Sequence, residues 1–131
     1  MGWLGTTVPE AYGGTGLGYL ELVLLAQEMG RSLAPIPFAS SVYGATEAIL
    51  LCGTEEQKQR YLPASCRGEC TLAFGLTEPD AGSNPLEGTC TYRREGDKFI
   101  LNGVKYLISN GSIADAVIVF AFPEGSAGKD R

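Results

Sequence analysis

Two different apolar periods succeed one another along this chain. From Tyr19 to Ser32, Leu20, Val23, Leu24 and Met29, with Leu33 just beyond, recur near i, i+3, i+4 spacing, and Glu21, Gln27, Glu28 and Arg31 fill polar positions. That is the pattern of an amphipathic helix, and Pro35 limits it by pushing Ala34 out of the α region. A second helix is predicted from Phe38 to Leu51, closed by Gly53. Thr54-Glu-Glu-Gln57 has the form of a capping box, so a third helix starts there and ends around Leu62-Pro63. Residues 1–18 are dense in glycine and read as a loop, with Trp3 and Leu4 free to pack at its start.

After Gly68 the period shortens to two. Strands are predicted near 71–76, 88–94, 97–102, 104–109 and 115–122, with hairpin signals at Glu95-Gly96-Asp97 and Asn102-Gly103. The tail from Pro123 to Arg131 reads as a flexible loop. The whole is an α+β chain: N-terminal α-helices over 1–70, then an antiparallel β-domain over 71–131. Unpaired sheet edges are templates for another chain, so self-association is expected.

Composition narrows the function. The chain has 131 residues with 44% hydrophobic content, enough for a core. A net charge of -5, no histidine and ten Lys plus Arg give no basic stripe, which excludes nucleic acid as a partner. The longest apolar run, near Leu22 to Ala26, is flanked by Glu21 and Glu28, so no membrane insertion is expected, and Met1-Gly-Trp-Leu-Gly5 lacks the start of an export signal. A cytoplasmic location follows as the expectation. Cys52, Cys66, Cys70 and Cys90 match neither a CxxC pair nor a zinc ribbon, and read as reduced structural thiols with no metal.

The stretch Phe74-Gly-Leu-Thr-Glu-Pro-Asp-Ala-Gly-Ser83 joins a buried-looking strand to a tight turn. Pro79 forbids a ladder bond after the strand, Gly82 permits positive φ or a close backbone approach, and Thr77 and Ser83 offer hydroxyls. Such a turn suits an anion or a cofactor edge; the plainer reading is that the hydroxyls cap the turn.

Leu76-Thr-Glu-Pro-Asp-Ala-Gly-Ser83, Leu101-Asn-Gly-Val-Lys-Tyr-Leu-Ile-Ser-Asn110 and Ala114-Asp-Ala-Val-Ile-Val119 together resemble the acyl-CoA dehydrogenase family. Val8-Pro-Glu-Ala-Tyr-Gly-Gly-Thr-Gly-Leu17, Gln27-Glu28-Met29 and Gly53-Thr-Glu-Glu-Gln-Lys-Gln-Arg-Tyr-Leu-Pro63 extend the resemblance over nearly the whole chain. It implies an oxidoreductase using FAD to place an α,β double bond in an acyl-CoA thioester. Electrons would pass to an electron-transfer flavoprotein, and the assembly would be a homo- or hetero-oligomer. The implied architecture is a helical domain, a middle β-domain and a helical bundle. This chain then reads as a fragment ending in an incomplete orthogonal β-sandwich or barrel.

By the same resemblance Phe74, Leu76 and Thr77 line the flavin, the last two bonding toward its polar edge. Gly82 and Ser83 lie near the pyrophosphate and the substrate path, which makes Ser83 the substrate-binding candidate. Ser109 keeps a hydroxyl that reaches the flavin N5, whereas Leu107 stands where the family usually has tryptophan, so that aromatic packing is lost unless Tyr106 replaces it. Asn84 stands where aspartate is common. The family's carboxylate base lies on the C-terminal domain and has no match here, so no catalytic residue is assigned and turnover by this chain alone is not expected. Glu78 reads as an exposed or salt-bridged structural group rather than a substitute base. The run Glu28 to Phe38 resembles members acting on bulky or branched acyl-CoAs. Alternatives on the same scaffold are an acyl-CoA oxidase or flavin monooxygenase, and, in another class, a non-catalytic subunit binding FAD or acyl-CoA.

Overall fold

The computed structural model describes residues 2–126. The first helix, α1 (Tyr19–Ser32), opens where the Gly18 N–H donates to the Glu21 carboxylate at 2.9 Å. Its bounds match the periodicity, but its buried face is narrower than the apolar stripe. Leu22 is the buried residue, packed with Phe38 and Val42, while Leu20, Val23, Leu24 and Leu33 stay exposed. The helix ends at Leu33, whose φ of 48° turns the chain before Pro35.

The next helical path leads from Phe38 into a π-helical segment, Ser40–Thr46, and then α2 (Glu47–Cys52). Its wide turns press against the strand that follows in sequence. The Ser41 hydroxyl donates to the Leu72 carbonyl at 2.8 Å and accepts from the Leu72 N–H at 3.2 Å. Gly44 is needed there, because a Cβ would lie 3.0 Å from the Phe74 Cβ. Gly53 closes α2 in an extended rather than a left-handed conformation, with ψ of 148°.

The capping box forms as the sequence indicates in α3 (Glu55–Arg67): Gln57 N–H donates to Thr54 Oγ1 at 3.2 Å and Thr54 N–H to Gln57 Oε1 at 2.9 Å. The helix does not stop at Pro63, which lies inside it. Leu62, Ser65 and Cys66 are buried on either side of the proline, so packing holds the turn that the missing N–H weakens. The helix ends instead at Gly68, with φ of 76°.

The glycine-dense start is folded rather than loose. Short 3-10 turns at Trp3–Gly5 and Glu10–Tyr12 fold back so that Thr15, Gly16 and Leu17 donate to Gly5, Val8 and Thr6, each at 2.9 Å. Val8 thereby enters the main core with Ala45, Ile49, Leu62, Cys66 and Leu72.

Five strands follow: β1 (Leu72–Gly75), β2 (Thr91–Glu95), β3 (Lys98–Asn102), β4 (Ala116–Val119) and β5 (Phe122–Pro123). The Gly96-Asp97 turn makes the β2–β3 pair an antiparallel hairpin, Tyr92 facing Leu101. The α+β architecture holds, but its ladders are mixed: β1 pairs β4 and β2 pairs β5 in parallel. The 40 residues from 76 to 115 supply the crossover that a parallel pair requires. The strand expected over 115–122 divides in two, each half serving a different sheet.

Two expectations fail. Residues 104–109 form no strand and Asn102-Gly103 no hairpin, because the chain leaves the sheet at Gly103, where a Cβ would lie 2.7 Å from the Cys90 Cα. The tail is not loose from Pro123 onward, since Glu124 N–H donates to Tyr92 O at 2.8 Å; residues 127–131 of that expected loop lie outside the described residues. All four cysteines are free, Cys66 and Cys90 buried and Cys52 exposed.

Among the described residues β3 is paired on one side only, and all five of its residues are exposed. Light scattering over a concentration series should therefore show association of the chain, and Leu101→Lys should abolish it. A monomer at every concentration would overturn this expectation.

Candidate functional site

Strand β1 is held at both ends from the β4 side. Phe120 N–H donates to Gly75 O at 3.0 Å from the β4 side, and Asp115 brackets Thr71, its N–H donating to Thr71 O and its carboxylate accepting the Thr71 N–H, both at 2.8 Å. A strap of residues 105–110 lies along the rest. Lys105 Nζ donates to Leu76 O at 3.0 Å, Tyr106 N–H to Thr77 O at 2.8 Å, and the Asn110 amide to Leu72 O at 3.1 Å. The π-helical segment adds Ser40, whose hydroxyl donates to Ser109 O at 3.3 Å.

This pinning explains why the strap is not a strand. Leu107 and Asn110 adopt positive φ, 54° and 66°. A leucine in that region costs about 1–2 kcal/mol, a strain that the bonds at either end of the strap hold in place. The outcome is that Leu107 and Tyr106 are exposed beside the β1 exit.

The next residue along from Thr77 is a buried carboxylate. Glu78 accepts from the Thr89 hydroxyl at 2.9 Å, from the N–H groups of Thr89 and Cys90, and from Lys105 Nζ at 2.7 Å. The side chains of Glu78 and Lys105 are 3% and 12% exposed. Burial pushes the Glu78 carboxyl up, but the Lys105 ammonium and the donors of Thr89 and Cys90 outweigh it and hold the group at about 2. A carboxylate so engaged is the salt-bridged one of the two structural groups that the sequence leaves open, not the exposed one, and is unsuited to taking a proton near neutral pH.

The sequence candidates divide between two places. Leu76 and Thr77 meet the strap at Lys105 and Tyr106, with Leu107 next along it, whereas Ser109 lies at the strap's other end, where Ser40 donates to its carbonyl. Phe74 lies further back on β1 against Gly44, where it also lines an apolar cleft of about 750 Å³ with Tyr43, Leu51, Val117 and Phe120. Gly82 and Ser83 are exposed just after the turn closed by the Glu78–Ala81 backbone pair, and among the described residues no hydrogen bond ties them to the strap.

Gly82 does not use the left-handed freedom expected of it. Its φ is not positive and a Cβ there would meet nothing within 4 Å, so the turn surface around it is open. Asn84 is turned inward to its own loop, accepting from Leu86 N–H at 3.3 Å and donating to Glu87 at 2.9 Å. Among the described residues the hydroxyls of Thr77, Ser83 and Ser109 have no hydrogen-bond partner.

Lys105, Asn110 and Ser41 organise the site and were not singled out from the sequence. The available signal was Lys105, a lone charge in the apolar run Val104 to Ile108, facing a Glu78 that had no evident partner. Among the described residues no group of His, Cys, Asp or Glu could hold a metal ion, and no helix is long and apolar enough to cross a membrane.

Because the folded Glu78 carboxyl sits below its ordinary 4.5, its stabilisation is complete above that value and is lost as pH falls through about 2. The shift corresponds to about 3 kcal/mol at neutral pH. Glu78→Gln should lower the unfolding free energy by roughly that amount at pH 7, and the gap to wild type should close between pH 5 and 2 in urea titrations. A gap constant over that range would remove the ionisation of Glu78 as its source.

The model of the acyl-CoA dehydrogenase N-terminal domain matches residues 1–69, and that of the acyl-CoA dehydrogenase middle domain matches residues 73–131. The acyl-CoA dehydrogenase FadE12 of Mycobacterium tuberculosis is 42% identical over 100% of this chain and 34% of its own length. A 3-(aryl)acrylate reductase of Clostridium sporogenes is 43% identical over 97% of this chain and 34% of its own. The crystal structure of a glutaryl-CoA dehydrogenase from Mycobacterium smegmatis in complex with FADH2 superposes with a TM-score of 0.83 at 37% identity, covering 94% of this chain and 32% of that one. The chain thus spans about a third of the length of the curated relatives it matches. With both domain models matched in order along it, the chain belongs to the acyl-CoA dehydrogenase family.

Proposed function

We propose that this chain is the flavin-lining part of a FAD-dependent enzyme that dehydrogenates an acyl-CoA thioester between its α and β carbons. The observation that carries the reading is the strap: it joins the β1 exit at Tyr106, next to Thr77, and runs back along β1 through the exposed Leu107 to Ser109, so that free hydroxyls at either end border an apolar surface. A flat ring with one polar edge has the matching character. The residues present therefore fit FAD, which when bound supplies the hydride acceptor.

Within this reading Leu76, Thr77 and Ser109 hold the ring's polar edge, Phe74 and Leu107 give it apolar contact, and Gly82 and Ser83 serve the pyrophosphate and the thioester. The open surface at Gly82 leaves room for such an approach. The chain's own work is to orient the two partners and exclude water. Removal of the α-proton falls to a carboxylate outside these residues, because Glu78 is committed to its internal bonds. The helical part, 1–70, and the β part, 71–131, are portions of two domains of the parent enzyme, which works as an oligomer and passes electrons to an electron-transfer flavoprotein. Leu107 favours a second reading, a non-catalytic FAD- or acyl-CoA-binding subunit of a heteromeric complex.

FAD titration of the chain, followed by flavin fluorescence and absorbance, should show saturable binding with a shifted spectrum. Thr77→Val, which removes one hydroxyl at constant shape, should weaken binding by roughly 3- to 10-fold, the value of one hydrogen bond. Ser109→Ala should change the spectrum of the bound flavin. If the chain takes up no FAD, the reading fails; if Thr77→Val binds as wild type does, Thr77 has no bonding role.

A further inference from the structure

Directly behind the proposed flavin edge lies the one ion pair among the described residues that is largely withdrawn from solvent, Lys105–Glu78, with Glu78 buried and Lys105 mostly so. Its bonds reach three separate stretches of chain. Glu78 takes donors from Thr89 and Cys90 at the entrance to β2, and Lys105 divides its ammonium between Glu78 and the Leu76 carbonyl. Gly88 makes room for the carboxylate, since a Cβ there would lie 2.9 Å from Glu78 Oε1.

A pair buried this deeply is weak as a source of stability, because an apolar pair of similar volume often does as well or better. What it supplies that an apolar pair cannot is direction. The Leu76 carbonyl is drawn to Lys105, and the next carbonyl, that of Thr77, meets the next N–H, that of Tyr106. Two consecutive residues of each segment are thereby held in one register.

We propose that Lys105 and Glu78 are positioning residues for the flavin edge, fixing the Leu76–Thr77 backbone against the strap and so the placement of the Thr77 hydroxyl. The role rests on the FAD reading above, and neither residue touches the cofactor. The pair acts as a clasp whose charge matters for alignment and whose volume matters for folding.

The test separates those two contributions. The double variant Glu78→Leu/Lys105→Met keeps an apolar fill of the same region and removes the directed bonds. It should melt near the wild-type temperature yet bind FAD on the order of tenfold more weakly, with a changed absorption band of the bound flavin. Equal melting with equal affinity and spectrum would overturn the proposal. Should the double variant fail to fold, Lys105→Arg decides, since its forked head keeps the charge but not the geometry of a single ammonium. A shifted flavin band at unchanged melting temperature supports the role, and an unshifted band overturns it. Absence of FAD uptake by wild type itself would bring down the functional reading and this role with it, an outcome distinct from variants that merely match a binding wild type.

Discussion

An ionised carboxylate withdrawn from water must find its donors inside the protein, and Glu78 does so from segments that sequence keeps well apart. Thr89 and Cys90 precede β2, while Lys105 follows β3. None of these donors is dispensable locally, because leaving a buried charge partly unpaired costs more than any one of the bonds contributes. The hairpin is consequently anchored at its base from both strands, and the strap is forced to leave the sheet where Lys105 turns toward the carboxylate. Everything assigned to the candidate site lies within a few residues of that anchor.

The helical half reaches the same place by another route. The π-helical turns bring Ser41 to both backbone groups of Leu72, and the Asn110 amide joins that junction from the strap. Since Leu72 is also a member of the main core with Ile49 and Leu62, the site is not an appendage of the sheet. Helix packing, strand β1 and the strap share a single junction at Leu72.

The legible features were those written in local chemistry. Tyr19–Ser32, the Thr54 capping box and the Glu95 to Lys98 turn depend on neighbours in sequence, and the chain builds them as read. What local pattern could not reveal was decided by distant partners. Val104 to Ser109 has the composition of a strand, yet Glu78 and Cys90 pull it out of the sheet. Pro63 signals a helix end, yet burial of Leu62 and Cys66 carries the helix past it. Of the site, the motif residues Thr77 and Ser109 were readable, but Lys105 and Asn110, which hold them in relation, became evident only from the fold.

The parallel pairing of β1 with β4 has a temporal side. Thr71 and Asp115, the pair that opens this ladder, are 44 residues apart, whereas the β2–β3 hairpin closes across a two-residue turn. The entropy of closing the longer loop must be met before its contacts return anything, and short-range pairings form ahead of long-range ones. The hairpin is thus ready early, and the β1 exit is completed only when β4 docks. The surface offered to a cofactor is a late product of folding, absent from any species in which the chain has collapsed but its distant ends have not yet met.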